Sequence, residues 1–262
     1  MAEIAIVELE DFALELGNTA GGIARAHFRQ PITVENKGAT AFDPVTNADR
    51  TIERVLRTAI VARYPDHGIV AEEEGERAGT SEYTWFIDPI DGTRAFMMGS
   101  PLWGTLIGLT LREQPLLGVL AQPILEEVFF GGPSGSWLIK AGRRERLKSR
   151  ACETLGVAVL ASTHPDMFSG QKAEAFRSLA QQCLLSRFGG DCYNYALLAA
   201  GFVDLVVESQ LKPYDIVPLI PLLEGAGCIV TDWRGQPPLG GGDVVAAGSR
   251  ALHQAALAAL QG

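Results

Sequence analysis

WFIDPIDGTRAF, residues 85–96, decides how the rest of this chain is read. Apolar Trp85, Phe86 and Ile87 run straight into Asp88, and Asp91 follows three residues later, just before Gly92-Thr93. A carboxylate at the end of a buried strand is costly unless something positive meets it. Hard divalent cations take oxygen ligands, and Mg²⁺ combines one or two carboxylates with waters and substrate oxygens. With Asp88 as a bridging ligand, the Ile90 carbonyl as another and Asp91 on a second ion, the bound cations would supply the missing positive charge.

Outward from this stretch, the spacing of apolar residues predicts the other elements. Residues 4–29 read as a helix carrying Ile4, Val7, Phe12 and Leu16, with a glycine pair at Gly21-Gly22. Residues 35–50 form a polar, turn-rich connection, and a second helix follows with Ile52, Val55, Leu56, Ala59 and Ile60 on one face. Strand 67–71 leads to the acidic turn Glu72-Glu73-Glu74-Gly75. Beyond the opening motif, strands at 104–111, 116–122, 128–130 and 136–140 predict an antiparallel sheet. After the basic stretch 143–150 the rhythm becomes strand–helix: strands 157–162, 184–189, 203–208, 228–232 and 244–248. Helices are expected near 171–182, 193–200 and 216–226, and from 250 onward. The alternation predicts an α/β layer and places a boundary near 145–152, giving halves 1–148 and 149–262.

With 262 residues, 47% of them hydrophobic, the chain can bury a sizeable core. No apolar run approaches the roughly 20 residues of a membrane span. The acidic start MAEIAIVELEDFALEL has no basic n-region. A soluble, cytoplasmic protein is the expectation. The four cysteines are scattered without a CxxC pair, so reduced core thiols are expected rather than zinc or disulfides. A formal net charge of −9, with no basic tail or stripe, argues against nucleic acid and anionic membranes as partners. It would also disfavour an anionic substrate, unless bound cations invert the local field.

Four acidic positions fall where a strand or helix meets a loop: Asp49, the Glu72-Glu73 pair, the Asp88/Asp91 pair and Asp215. Two ions about 3.5–4 Å apart on such ligands would clamp the attacking and leaving oxygens of a phosphoryl transfer. D-P-I-D-G-T at 88–93, Glu72-Glu73, D-P-V-T-x-A-D at 43–49 and Asp215 after an aromatic together resemble the inositol monophosphatase superfamily, whose members are Mg²⁺-dependent phosphomonoesterases. Segments 92–109, 187–201 and 224–235 are similar to its histidinol-phosphate phosphatase branch; Tyr214 stands where many members have Trp. The resemblance implies a mixed α/β (α+β) fold, the layered α-β-α-β-α sandwich of the sugar-phosphatase type, with the metal site between the halves.

By the same resemblance, Glu72, Asp88 and the Ile90 carbonyl bind a first Mg²⁺. Asp88, Asp91 and Asp215 bind a second, and a third rests on Glu72 through waters. Glu72 and Thr93 activate the attacking water, with Asp49 supporting Thr93. The Gly92 and Thr93 amides receive the phosphate, and Gly189, Asp191 and Glu208 surround the organic part of the substrate. The implied reaction is hydrolysis of the small phosphate ester L-histidinol phosphate, in histidine synthesis. Same-fold alternatives are an inositol phosphate or the 3′-phosphate of an adenosine bisphosphate; a non-catalytic Mg²⁺-binding module is the rival of another class. A homodimer is implied by the family alone.

Several residues keep a purely structural reading. Thr46-x-x-Asp49 matches a capping box. Asp191 could be a helix N-cap, Glu208 a rim-exposed strand end and Trp103 a core residue rather than a wall for an imidazole. Lys37 is either a phosphate-steering group or a solvated lysine. His27, His67, His164 and His253 are dispersed and read as structural or surface groups.

Overall fold

The protein was analysed as a computed structural model, which describes residues 5–31, 33–36 and 44–261. The readings placed on Ile4, Lys37 and Asp43 lie outside the described residues.

Helix α1 (Ile6–His27) buries Leu9, Phe12, Ala13, Leu16, Ala20 and Ala24 along one stripe. Val7 is not on that stripe and is 60% exposed. The short strands β1 (Val34–Asn36) and β2 (Pro44–Thr46) pair antiparallel and lead into α2 (Asn47–Arg63). Thr46 caps α2 through the expected box: its hydroxyl accepts from the Ala48 amide, and Asp49 accepts from the Thr46 amide. Such a cap stabilises a helix by about 1 kcal/mol. The buried face of α2 holds Ala48, Ile52, Leu56 and Ile60, beside two buried acids, Asp49 and Glu53. Val55 was expected on this face but is 37% exposed, and Glu53 is inside instead.

The large sheet contains β3 (Gly68–Ala71), β4 (Gly75–Arg77), β5 (Tyr83–Asp91), β6 (Gly104–Leu111), β7 (Gln114–Gln122), β8 (Glu127–Gly132), β9 (Gly135–Lys140) and β10 (Arg143–Arg146). Its order is β10-β9-β8-β7-β6-β5-β3-β4. All neighbours are antiparallel except β3 and β5, which are parallel, so the sheet is mixed where the site begins. Between β5 and β6 lies the one-turn helix α3 (Thr93–Met97).

The second sheet has order β12-β11-β13-β15-β14, formed by β11 (Val159–Ser162), β12 (Leu185–Phe188), β13 (Leu205–Leu211), β14 (Ile229–Asp232) and β15 (Gly242–Ala247). Parallel pairs join β11 to β12 and β13; antiparallel pairs join β15 to β13 and β14. Helices α1 and α2 cover one face of the large sheet. The middle layer is α5 (Cys192–Ala199) with α6 (Pro213–Ile216) and α7 (Ile220–Gly225), packed between the sheets. Helices α4 (Gln171–Gln182) and α8 (Arg250–Gln261) cover the far face of the second sheet. The layers run α-β-α-β-α.

The helix expected over 216–226 is instead two short helices joined by a 3₁₀ turn at Val217–Leu219. Pro218 and Pro221 interrupt the helical ladder, and a groove in the large sheet seats the broken segment. Gly108, Gly118 and Gly131 are cross-strand neighbours on β6, β7 and β8. A Cβ on Gly118 would lie 1.7 Å from the Pro218 carbonyl oxygen, and one on Gly131 would lie 2.2 Å from Leu222 backbone. Side chains elsewhere on a sheet hold packed layers about 10 Å apart; this glycine row lets 216–222 lie directly on the strands. That seating brings Asp215 to the end of β5.

Candidate active site

Asp88 and Asp91 are three apart on β5, a spacing that would send them to opposite faces of a regular strand. The register slips between them: Asp88 pairs with Leu106 but Asp91 with Gly104, so three steps on β5 oppose two on β6. This bulge turns Asp91 back to the face that carries Asp88, while Ile90 packs into the core on the α1/α2 face. The strand ends at Gly92, whose φ of +91° and crowded surroundings suit only glycine; a Cβ there would meet Trp103 and Asp191 at 3.1–3.2 Å.

Oxygens of Asp88, Asp91 and Asp215 come within 4.8 Å of one another. They line a cleft of about 240 Å³ together with Glu72, Ile90, Gly92, Thr93, Lys212 and Tyr214. Glu72 follows β3, and its amide donates to the Ile87 carbonyl, so the parallel β3–β5 pair sets Glu72 beside Asp88. Asp88 accepts from the Ile90 amide, Asp215 from the Lys212 amide and Asp91 from the Cys192 amide at 2.6 Å. The Thr93 hydroxyl donates to the Ile90 carbonyl at 3.1 Å.

These few donors do not compensate the carboxylates. Burial, then repulsion from Asp215, pushes Asp91 up to about 8, and burial pushes Asp215 up to about 7. Asp88 is raised well above the carboxylate range by burial and then by Glu72 and Asp91. Burial likewise raises Asp49 to about 6 despite its bonds to Thr46. The buried Oδ1 of Asp49 has no hydrogen-bond partner. Clustered hard oxygens, raised proton affinity and an orphaned acceptor fit a hard divalent cation such as Mg²⁺. Neither His nor Cys lines the cleft among the described residues.

Other site expectations meet the structure differently. Asp49 forms the cap but no hydrogen bond to Thr93, whose hydroxyl is turned to Ile90. Asp191 begins α5 without a capping bond from its side chain. Asp91, 101 residues before Cys192, caps that helix instead by accepting from the Cys192 amide. Asp191 has φ +44° and a carboxyl raised to about 7 by burial and by Asp91, with Arg94 pulling it down. Its neighbour Gly189, at φ +86°, is exposed. Glu208 is no rim residue: it is 2% exposed, accepts from the Thr163 amide and hydroxyl, and accepts from the Tyr195 hydroxyl at 2.9 Å. Trp103 is a core residue packed on Phe28 and Phe96. His164 caps a surface turn. Lys212, Thr163, Tyr195 and Glu53 escaped the sequence reading; Lys212 alone had a visible signal, as the residue opening the K-P-Y-D run that holds Asp215.

A five-layer sandwich with an acidic, cation-fitting cleft at a bulged strand end defines a metal-dependent phosphatase class. Residues 6–262 match the inositol monophosphatase family, and the chain belongs to that family. It is 38% identical over 279 residues to the chloroplastic bifunctional phosphatase IMPL2 of Arabidopsis thaliana, spanning 99% of this chain and 78% of that protein. It is 32% identical to a histidinol-phosphatase of Chlorobaculum parvum, with 95% of each chain covered. An inositol monophosphatase structure from Zymomonas mobilis superposes with a TM-score of 0.87 at 37% identity, covering 99% of this chain and 100% of that one. The protein is thus a phosphatase of a generally Mg²⁺-dependent family. No described helix is long and apolar enough to cross a membrane.

Proposed function

We propose that this phosphatase hydrolyses L-histidinol phosphate, releasing L-histidinol and phosphate. The observation that carries the reading is Asp191. Its side chain makes no helix-capping bond, Asp91 taking that role, and its Cβ lies beside Gly92, which lines the cleft. A carboxylate there gains a charge-assisted hydrogen bond of about 1.5–3 kcal/mol from an ammonium or imidazolium, and nothing comparable from a neutral polyol. The similarity to a histidinol-phosphatase supports the same choice.

Glu72, Asp88, the Ile90 carbonyl, Asp91 and Asp215 would hold two Mg²⁺ ions, with a third on Glu72. Bound there, the metal supplies a nucleophilic water at neutral pH and stabilises charge on the phosphoryl oxygens. Glu72 and Thr93 orient and deprotonate that water; the Thr93 hydroxyl is already held at the end of β5 by the Ile90 carbonyl. The Gly92 and Thr93 amides receive the phosphate, and Gly189 and Asp191 flank the organic group. Among the described residues no Ser–His or Cys–His pair lines the cleft, and in this reading the nucleophile is water. Glu208 serves the substrate region through Thr163 and Tyr195, which occupy its oxygens. Halves 1–148 and 149–262 meet at this cleft, Asp215 being the ligand from the second; a cytoplasmic homodimer completes the proposal, tested by light scattering and cell fractionation.

The test is phosphate release with Mg²⁺ from histidinol phosphate, inositol 1-phosphate and an adenosine 3′,5′-bisphosphate. Histidinol phosphate should be preferred, and Asp191→Ala should lower its kcat/KM by about tenfold or more, a loss of roughly 1.4 kcal/mol. Hydrolysis of glycerol phosphate should be nearly unchanged. Preference for inositol 1-phosphate, the reading that the Zymomonas likeness favours, or equal loss on both substrates, would overturn the assignment.

A further inference from the structure

Helix α2 carries two buried acids one turn apart, Asp49 and Glu53. The second, Glu53, is fully buried, a place where a carboxylate persists only if it is thoroughly bonded. Its Oε2 accepts from the Glu73 amide at 2.7 Å, and its Oε1 from the Glu74 amide at 2.8 Å. Arg57, one helical turn on, donates to the same carboxylate at 2.8 Å. A second Arg57 nitrogen donates to the Gly75 carbonyl, and Arg57 also faces the Glu74 carboxylate at 3.8 Å. Glu53 and Arg57 thus grip the backbone of the turn that follows Glu72 on both sides, through its amides and through its carbonyl.

From this geometry we propose that Glu53 is a positioning residue for the reaction: it fixes the Glu72 carboxylate by clamping the 73–75 turn onto α2. The same helix carries Asp49, near enough to Glu72 for the two carboxylates to repel, so one rigid element spaces both acids. On the β5 side, Glu72 is held by its own amide on Ile87; on the other side the hold is Glu53. A free acidic turn of three glutamates would splay by mutual repulsion; among the described residues Arg57, itself aligned by Glu53, donates to the turn's backbone and faces the Glu74 carboxylate. Partners of this outer kind typically change metal affinity or activity by about 10–100-fold when removed.

The proposal rests on Glu72 acting in the cleft, and the experiment separates the two ideas. Glu53→Gln keeps the shape but presents an NH₂ group to one of the two amides or to Arg57. The measurements are kcat and KM on the best substrate of the panel, Mg²⁺ binding by calorimetry, and thermal melting. Glu53→Gln should lower kcat and Mg²⁺ affinity by about tenfold or more while KM moves little. In a Glu72→Gln background the same change should alter Mg²⁺ affinity by less than about twofold, because both act through one group. If Glu53→Gln does not fold, Arg57→Ala replaces it, with the same direction of change expected. A folded Glu53→Gln with parent kcat and Mg²⁺ affinity, or an undiminished effect in the Glu72→Gln background, overturns the inference. Parent activity in Glu72→Gln itself would instead overturn the reading of the cleft.

Discussion

Removing Mg²⁺ should make the stability of this protein fall as pH rises, and restoring it should abolish that fall. In the metal-free fold Asp91 is raised from 3.8 to about 8 and Asp215 from 3.8 to about 7, chiefly by burial, with mutual repulsion adding to it in Asp91. Unfolded, both are ionised well below neutrality. The folded state therefore binds more protons across neutral pH, and its stability declines with rising pH until the folded carboxyls ionise. His67 runs the opposite way: burial lowers it from 6.5 to about 4, so it destabilises the fold only below about pH 6.5. A window from pH 6.5 to 8 isolates the carboxylates. Each group that keeps its proton costs about 1.4 kcal/mol per pH unit. Asp91 and Asp215 alone lose about 2 kcal/mol over the window, and Asp88, Asp191 and Glu208, raised by the same burial, add to the fall. For a chain of this size, the share of Asp91 and Asp215 is a fall in Tm of roughly 4–8 °C, and the whole fall should be at least that. Saturating Mg²⁺ binds the ionised carboxylates, so its stabilisation should be larger at pH 8 than at pH 6.5. Differential scanning fluorimetry with EDTA or with Mg²⁺ at the two pH values measures all four states. A metal-free Tm that is flat across the window, or an Mg²⁺ effect that is larger at pH 6.5, would refute the reasoning.

Asp91→Asn should abolish most activity yet keep α5, because the amide oxygen of Asn can still accept from the Cys192 amide; phosphate assays and circular dichroism test the split. Thr93→Val should lower kcat far more than it raises KM, since a hydroxyl that orients the nucleophile acts mainly in the transition state; a raised KM with parent kcat would make it a binding group. Gly118→Ala should cost about 1–3 kcal/mol or more, because its Cβ meets the Pro218 carbonyl and must push 216–222 off the sheet. Displacing that segment moves Asp215, so Gly118→Ala should also weaken Mg²⁺ binding, unlike an equally destabilising change on the far face of the second sheet.

Local pattern alone carried much of this molecule. The helix at 171–182 falls where its apolar period puts it, and the strand at 104–111 where a short, mostly apolar β-type run bounded by turn residues puts it. The capping box at Thr46 and the D-P-I-D-G-T turn were equally legible, since a cap or a turn involves residues only a few positions apart. The short strands β4 and β10 and the helix α3 were not foreseen; at three to five residues, they are held by what they pair with and carry no period of their own. The division of 213–225 is signalled locally by Pro218 and Pro221, but its seat on a glycine row of three other strands is not contained in that segment. The same limit governed the acids. Asp191 reads as the cap of α5, but the cap comes from Asp91, and Glu208 reads as a strand end although Thr163 and Tyr195 enclose it. Glu53 sits in the helical pattern as one more polar residue and becomes a clamp only when the 73–75 turn folds over it. Which carboxylates exist, and on which elements, was written in the chain. Which of them share a cleft and which are spent on backbone amides depended on packing between residues distant in sequence, because a carboxylate takes whichever donors its burial leaves within reach.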